Sequence, residues 1–102
     1  MKKESAASIS HDEAIIQELR DDPKLAAEYL RAAIEEADDS QSLLIALRRI
    51  AEANGGIAKV AKAAGIQRES LYRALSAKGN PRWSTIQAVT RVVGLKLTVE
   101  AV

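Results

Sequence analysis

The chain has 102 residues, 47% of them hydrophobic and 28% charged, with a net charge of +1. A chain this short builds one modest core, which excludes a large two-substrate enzyme, and its composition is that of an ordered globular protein. Cysteine and phenylalanine are absent, so disulfides and thiolate metal sites are excluded and the core has to be aliphatic. The apolar runs are too short to span a bilayer, and the opening MKKESAASIS lacks the apolar stretch of a secretory signal. A cytoplasmic protein without a membrane partner is expected.

The charge is unevenly placed. Residues 1 to 54 carry 7 Lys+Arg against 12 Asp+Glu, a balance of −5, whereas residues 55 to 102 carry 8 against 2, a balance of +6. A basic half of this kind suits a polyanion, because clustered Lys and Arg gain affinity for phosphates by releasing condensed counterions.

In chain order, residues 1–9 are small, polar and aperiodic and are expected to form a flexible tail. Ser10-His11-Asp12-Glu13 fits a capping box and opens a short helix to about Arg20. Asp22-Pro23 signals a second start, since Asp caps free amides and Pro tolerates the first helical position. Leu25, Ala26, Tyr29, Leu30, Ala33, Ile34 and Ala37 then recur three and four apart, an inward stripe of about four turns that also makes Tyr29 a core residue. Asp38-Asp39-Ser40 caps a third helix carrying Leu43, Leu44, Leu47, Ile50 and Ala51, which ends at Gly55-Gly56.

Residues 57 to 75, IAKVAKAAGIQRESLYRAL, look like one helix interrupted by Gly65. Ile57, Val60, Ala61 and Ala64 give the first part an apolar face; Ile66, Leu71, Ala74 and Leu75 do the same for the second. Gly65 takes a left-handed conformation at little cost, so a tight bend is expected there, with Ala61 leaving room for a close crossing. The bend leaves the second helix protruding, its first turn and outer face filled by Gln67, Arg68, Glu69, Ser70, Tyr72 and Arg73. That is a helix-turn-helix, and its size suits the major groove of duplex DNA, where Arg donates to guanine and Glu accepts from cytosine. Lys59, Lys62, Lys78 and Arg82 lie around it as backbone-positioning cations.

Lys78-Gly79-Asn80-Pro81 makes a turn, and a last helix near Trp83 to Val93 carries Ile86, Val89, Val92 and Val93 inward, closed by Gly94. Trp83 is expected to pack rather than stack on a nucleotide. The end, LKLTVEAV, alternates Leu95, Leu97 and Val99 with polar residues, the period of a strand with one buried face, and such a strand needs a partner. His11, the single histidine, has no companion for a metal cage and is expected at the surface. No nucleophile is paired with a base and no phosphate loop appears, so neither catalysis, a cofactor nor a metal is expected.

From Ser42 to Leu95 the chain resembles the five-helix lambda-repressor-like, or Xre-type, domain through VAKAAGIQRESLYRALS and GNPRWSTIQAVTRVVGL. Extended leftward through DDPKLAAEYLRAAIEEADD, it resembles the probable addiction-module antidote proteins, a HigA-like group of antitoxins. The fold implied is all-α: a tail at 1–9, a helical extension at 10–40, a five-helix helix-turn-helix domain at 41–94 and a short C-terminal β-strand at 95–102. The function implied is an antitoxin of a type II toxin-antitoxin module, a homodimer that represses its own operon on palindromic operator DNA and neutralises a RelE/ParE-like toxin. It would work in the nucleoid-associated cytoplasm.

Carried over residue by residue, the resemblance puts base reading on Arg68, Glu69 and Arg73, and phosphate contact on Gln67 and Arg82. Ile57 departs from the repressor pattern, which often has a phosphate-bonding Gln there; Lys59 or Ser70 is the substitute. For the toxin, two surfaces compete: the acidic face of Glu28, Glu35, Glu36, Asp38 and Asp39, and the strand of Leu95, Leu97 and Val99, for which pairing with its own copy is favoured. A stand-alone prophage-type repressor and a helical protein-interaction adaptor are the alternatives.

Overall fold

The computed structural model describes residues 10–36 and 40–102. Among these the chain is all-helical, with six helices: α1 (His11–Leu19), α2 (Pro23–Glu36), α3 (Gln41–Ala53), α4 (Ile57–Ala64), α5 (Arg68–Ala74) and α6 (Trp83–Val92). The expected tail at 1–9, and Ala37, Asp38 and Asp39, lie outside the described residues.

Local chemistry sets the first boundaries. Ser10 Oγ accepts from the Glu13 amide at 3.0 Å and Asp22 Oδ1 from the Leu25 amide at 3.1 Å, so each side chain satisfies a donor that the first turn leaves free. Asp21, between them, takes a positive φ of 61° and turns α1 into α2. Ser40 does not cap α3 as expected: its backbone is already helical, and its hydroxyl accepts nothing from the turn that follows.

α3 is the centre of the molecule and packs against α1, α2, α4 and α6, while α4 also contacts α5 and α6. Leu44, Leu47, Ile50 and Ala51 of α3 join Leu19, Leu30, Val60, Leu71, Leu75 and Val89 in one aliphatic cluster drawn from every helix. Thr90, buried on α6, sends its hydroxyl to the Ile86 and Gln87 carbonyls at 3.0 and 2.9 Å, so it costs the core no unpaired polar group.

Arg49 is a link that hydrophobic periodicity does not reveal. From α3 it donates to Tyr29 Oη of α2 at 2.7 Å and forms an ion pair with Asp12 of α1. Its pKa is pushed up from the ordinary arginine value, first by the bond to Tyr29, with partial burial opposing and Asp12 adding. Tyr29 is accordingly half-buried, its ring on the core and its hydroxyl turned to Arg49, rather than enclosed as the stripe implied.

Three expectations are corrected. Between Gln41 and Gly94 there are four helices, not five. No strand forms among the described residues: residues 95–102 run without a ladder, because no described segment pairs with them. Leu95 and Leu97 nonetheless pack against the core, while Val99 is 95% exposed. Trp83 is 60% exposed, since the first turn of α6 projects past the core and the inward side is taken by Ile86, Val89 and Val93. At the far end of α2, Ile34 is also left 48% exposed, so the apolar stripe outruns its cover.

Candidate nucleic-acid interface

α4 ends at Gly65, whose φ of 73° and ψ of 30° are the left-handed conformation expected there; a side chain at this position would be strained although open space surrounds it. The Ile66 amide closes the turn on the Ala61 carbonyl at 2.9 Å. Gln67 is extended, and α5 starts one residue later.

α5 has seven residues and buries one of them, Leu71, which is 0% exposed. Leu75, just beyond the helix, is buried as well, and Ser70 and Ala74 are half-buried. Residues 71 and 75 are four apart and lie on one face, so the opposite face is left to solvent. That face holds Arg68, Glu69, Tyr72 and Arg73, all exposed, with Tyr72 at 62%, and Gln67, the extended residue before the helix, is exposed as well. Arg68, Glu69, Tyr72 and Arg73 together line one shallow hollow.

The turn after α5 is built for close approach. A Cβ on Gly79 would stand 2.0 Å from the Ala74 carbonyl oxygen, a distance that excludes any side chain. Ser76 Oγ donates to the Arg73 carbonyl at 2.7 Å, the Gly79 amide to Ser76 O at 2.9 Å, and Gln41 Nε2 of α3 to Ala77 O at 3.2 Å. These bonds fix the path that carries exposed Lys78 and Arg82 past the end of α5.

The remaining candidates are dispersed. Lys62 is exposed on α4. Lys59 lies over the α3–α4 turn, where its side-chain carbons crowd Gly55, and it shares a polar hollow with Arg20, Asp21 and Glu52 rather than with α5. Ile57 is 6% exposed and part of the core, so the first position of α4 is an apolar anchor with no reach to a phosphate. Glu28, Glu35 and Glu36 are exposed on α2, apart from the α5 hollow; Asp38 and Asp39 lie outside the described residues. His11 is exposed at the start of α1.

Sequence reasoning missed exposed Trp83, next to Arg82, because an aromatic beside aliphatic residues looks like core; the preceding Pro-Arg, which delays the helix start, was the available signal.

Fold and surface together define a small all-helical protein that displays a short polar helix behind a glycine turn, with no described helix long and apolar enough to cross a membrane. The chain belongs to the family of probable addiction module antidote proteins, whose model matches residues 10–101. It is 39% identical over 72 residues to an uncharacterised protein of Haemophilus influenzae (strain Rd), covering 71% of this chain and 72% of that one. No solved structure matches it significantly.

Proposed function

We propose that this protein is the antitoxin of a type II toxin-antitoxin module: a homodimeric, sequence-specific repressor of its own operon that also neutralises a RelE/ParE-like toxin. The carrying observation is α5 itself, held from behind by Leu71 with Arg68, Glu69, Tyr72 and Arg73 all turned outward in one hollow. α4, the Gly65 turn and α5 serve as a helix-turn-helix of the lambda-repressor-like, Xre type. A helix enters the major groove, roughly 12 Å wide, and reads base edges with its early side chains.

In this scheme Arg68 and Arg73 donate to guanine and Glu69 accepts from cytosine. Gln67, Ser70, Tyr72, Lys62, Lys78 and Arg82 hold the backbone. Lys59, directed toward Gly55, contributes through the general basic field. Two copies place two reading helices on the half-sites of a palindrome. Supporting the antidote role are the family and the acidic N-terminal half, where Glu28, Glu35 and Glu36 of α2 offer a negative face to a basic RNA-cleaving toxin. The protein acts by binding, without turnover, in the nucleoid-associated cytoplasm.

The test is a mobility-shift titration on the upstream region across a salt series. Affinity for one palindrome falls steeply with salt, Arg68→Ala and Arg73→Ala each cost about 1–3 kcal/mol and relax specificity, and Lys78→Ala weakens all sequences alike. Equal losses on operator and random DNA from all three variants sink the base-reading assignment, and no shift of any DNA leaves a protein-interaction adaptor. Co-expression with the adjacent gene followed by purification tests the other half. A co-purified small basic protein supports the antidote role, and none leaves a stand-alone repressor.

A further inference from the structure

The C-terminal segment LKLTVE leaves α6 at Gly94, whose φ of 85° turns the chain, and runs beside α2. With Ala27, Leu30 and Ile34, Leu95 and Leu97 line a groove of about 190 Å³. The Leu95 amide donates to the Thr90 carbonyl at 2.9 Å; beyond it, residues 96 to 100 make no backbone hydrogen bond to any described residue. Two apolar side chains are left uncovered: Ile34, which lines the groove, at 48% and Val99, which does not, at 95% exposure. A segment with free backbone donors and acceptors is an edge on which another chain can pair as a strand, and a lysine there ordinarily discourages it.

The charge order of the segment removes that obstacle for one kind of partner. Lys96-Leu97-Thr98-Val99-Glu100, laid antiparallel to itself, matches residue for residue. We propose that the occupant of this edge is a second copy of the chain, the two segments pairing antiparallel about a two-fold axis through Thr98. Lys96 then faces Glu100 of the second copy, Glu100 faces Lys96, Leu97 faces Val99, Val99 faces Leu97, and Thr98 faces Thr98. Opposite charges, apolar pairs and Thr–Thr are the cross-strand combinations that stabilise an antiparallel ladder.

Other registers fail. A shift of one residue sets the core-facing side of one segment against the outward side of the other. Moving the axis to Leu97 or Val99 faces Lys96 or Glu100 with threonine and loses both ion pairs, and a parallel in-register pairing puts lysine on lysine. In the favoured register Val99 stands beside Leu97 of the second copy, so the exposed valine gains an apolar neighbour that already packs on the core.

This assignment rests on the homodimer proposed above and is independent of DNA contact, so it is tested on the protein alone. The chain has no cysteine, which makes single-cysteine variants clean reporters. Under mild oxidation Thr98→Cys cross-links to a covalent dimer, whereas Lys96→Cys and Glu100→Cys do not. In this register each of those lies four residues from its own copy, roughly 13 Å along the strand and beyond disulfide reach. Mixing the Lys96→Cys and Glu100→Cys proteins restores cross-linking.

In sedimentation equilibrium, Lys96→Glu or Glu100→Lys alone raises the dimer Kd by roughly tenfold or more, and the double reversal brings it back. These side chains are exposed, so circular dichroism stays unchanged. A wild-type dimer that does not cross-link through Thr98→Cys overturns the assignment and leaves the homodimer intact; a wild-type monomer overturns both. A cross-link from Thr98→Cys to a co-purified toxin gives the edge to that partner and overturns the self-pairing.

Discussion

α3 and α5 make the sharpest contrast in this molecule. α3 has thirteen residues, buries Leu44, Ala46, Leu47, Ile50, Ala51 and Ala53, and touches four other helices. α5 has seven residues, buries Leu71 and packs mainly on α4. A seven-residue helix is too short to persist by itself in water, so α5 exists because Leu71 and Leu75 plug into the cluster that α3 organises and because two turns fix its ends. The lesson is a division of labour. Nearly every inward position of α3 is constrained by packing, whereas the outward positions of α5 are free of it and available for recognition.

The contrast is tested first at the plug. Leu71→Ala empties a fully enclosed site and should cost about 2–5 kcal/mol in urea unfolding, whereas Tyr72→Ala, one residue away on the exposed face, should change stability by about 0.5 kcal/mol or less. A small loss at Leu71 would mean that α5 is not held by the core at all.

Next come the two glycines that bound α5, which fail for different reasons. Gly79→Ala drives a methyl group into the Ala74 carbonyl and should cost about 1–3 kcal/mol or more, while Gly65→Ala meets open space and carries only the left-handed backbone penalty, about 1–2 kcal/mol. Thermal unfolding of the two variants side by side checks the order.

A smaller effect sharpens the same point at helix starts. Ser10→Ala removes an observed cap and should cost about 1 kcal/mol, whereas Ser40→Ala removes none and should fall within about 0.5 kcal/mol, measured by denaturant titration. Smallest of all, Arg68→Ala and Arg73→Ala should leave stability within about 0.5 kcal/mol of the parent, so that any loss of DNA affinity in the same variants is a loss of contact rather than of fold.

Much of the fold was legible in the sequence because it follows from local rules. The six helical segments, the caps at Ser10 and Asp22, the bend at Gly65 and the inward Leu71 all depend on residues within four positions of one another, and each stands where periodicity and turn chemistry put it. The stretches quoted for the family resemblance likewise lie within the residues that the antidote family matches. Local rules also misled where a neighbour was assumed. The alternation of Leu95, Leu97 and Val99 has the period of a strand, but a strand is a pairing between segments, and no other segment among the described residues supplies the second half. Trp83 and Ile34 have apolar side chains of the right spacing, but their helix ends reach past the elements that would cover them.

By itself, then, the sequence determined where helices begin and end, which face of each is apolar, and that one short helix carries a dense polar face, because all of these are set by backbone preferences and side-chain spacing along the chain. Only the tertiary structure decided that Arg68, Glu69, Tyr72 and Arg73 share one hollow while Lys59 turns away toward Gly55. It likewise decided that Arg49 ties α3 to both α1 and α2, and that residues 96 to 100 lie along α2 with no backbone bond to any described residue. Those outcomes depend on which helices cross and how far each extends, and crossing is settled by the packing of side chains distant in the chain.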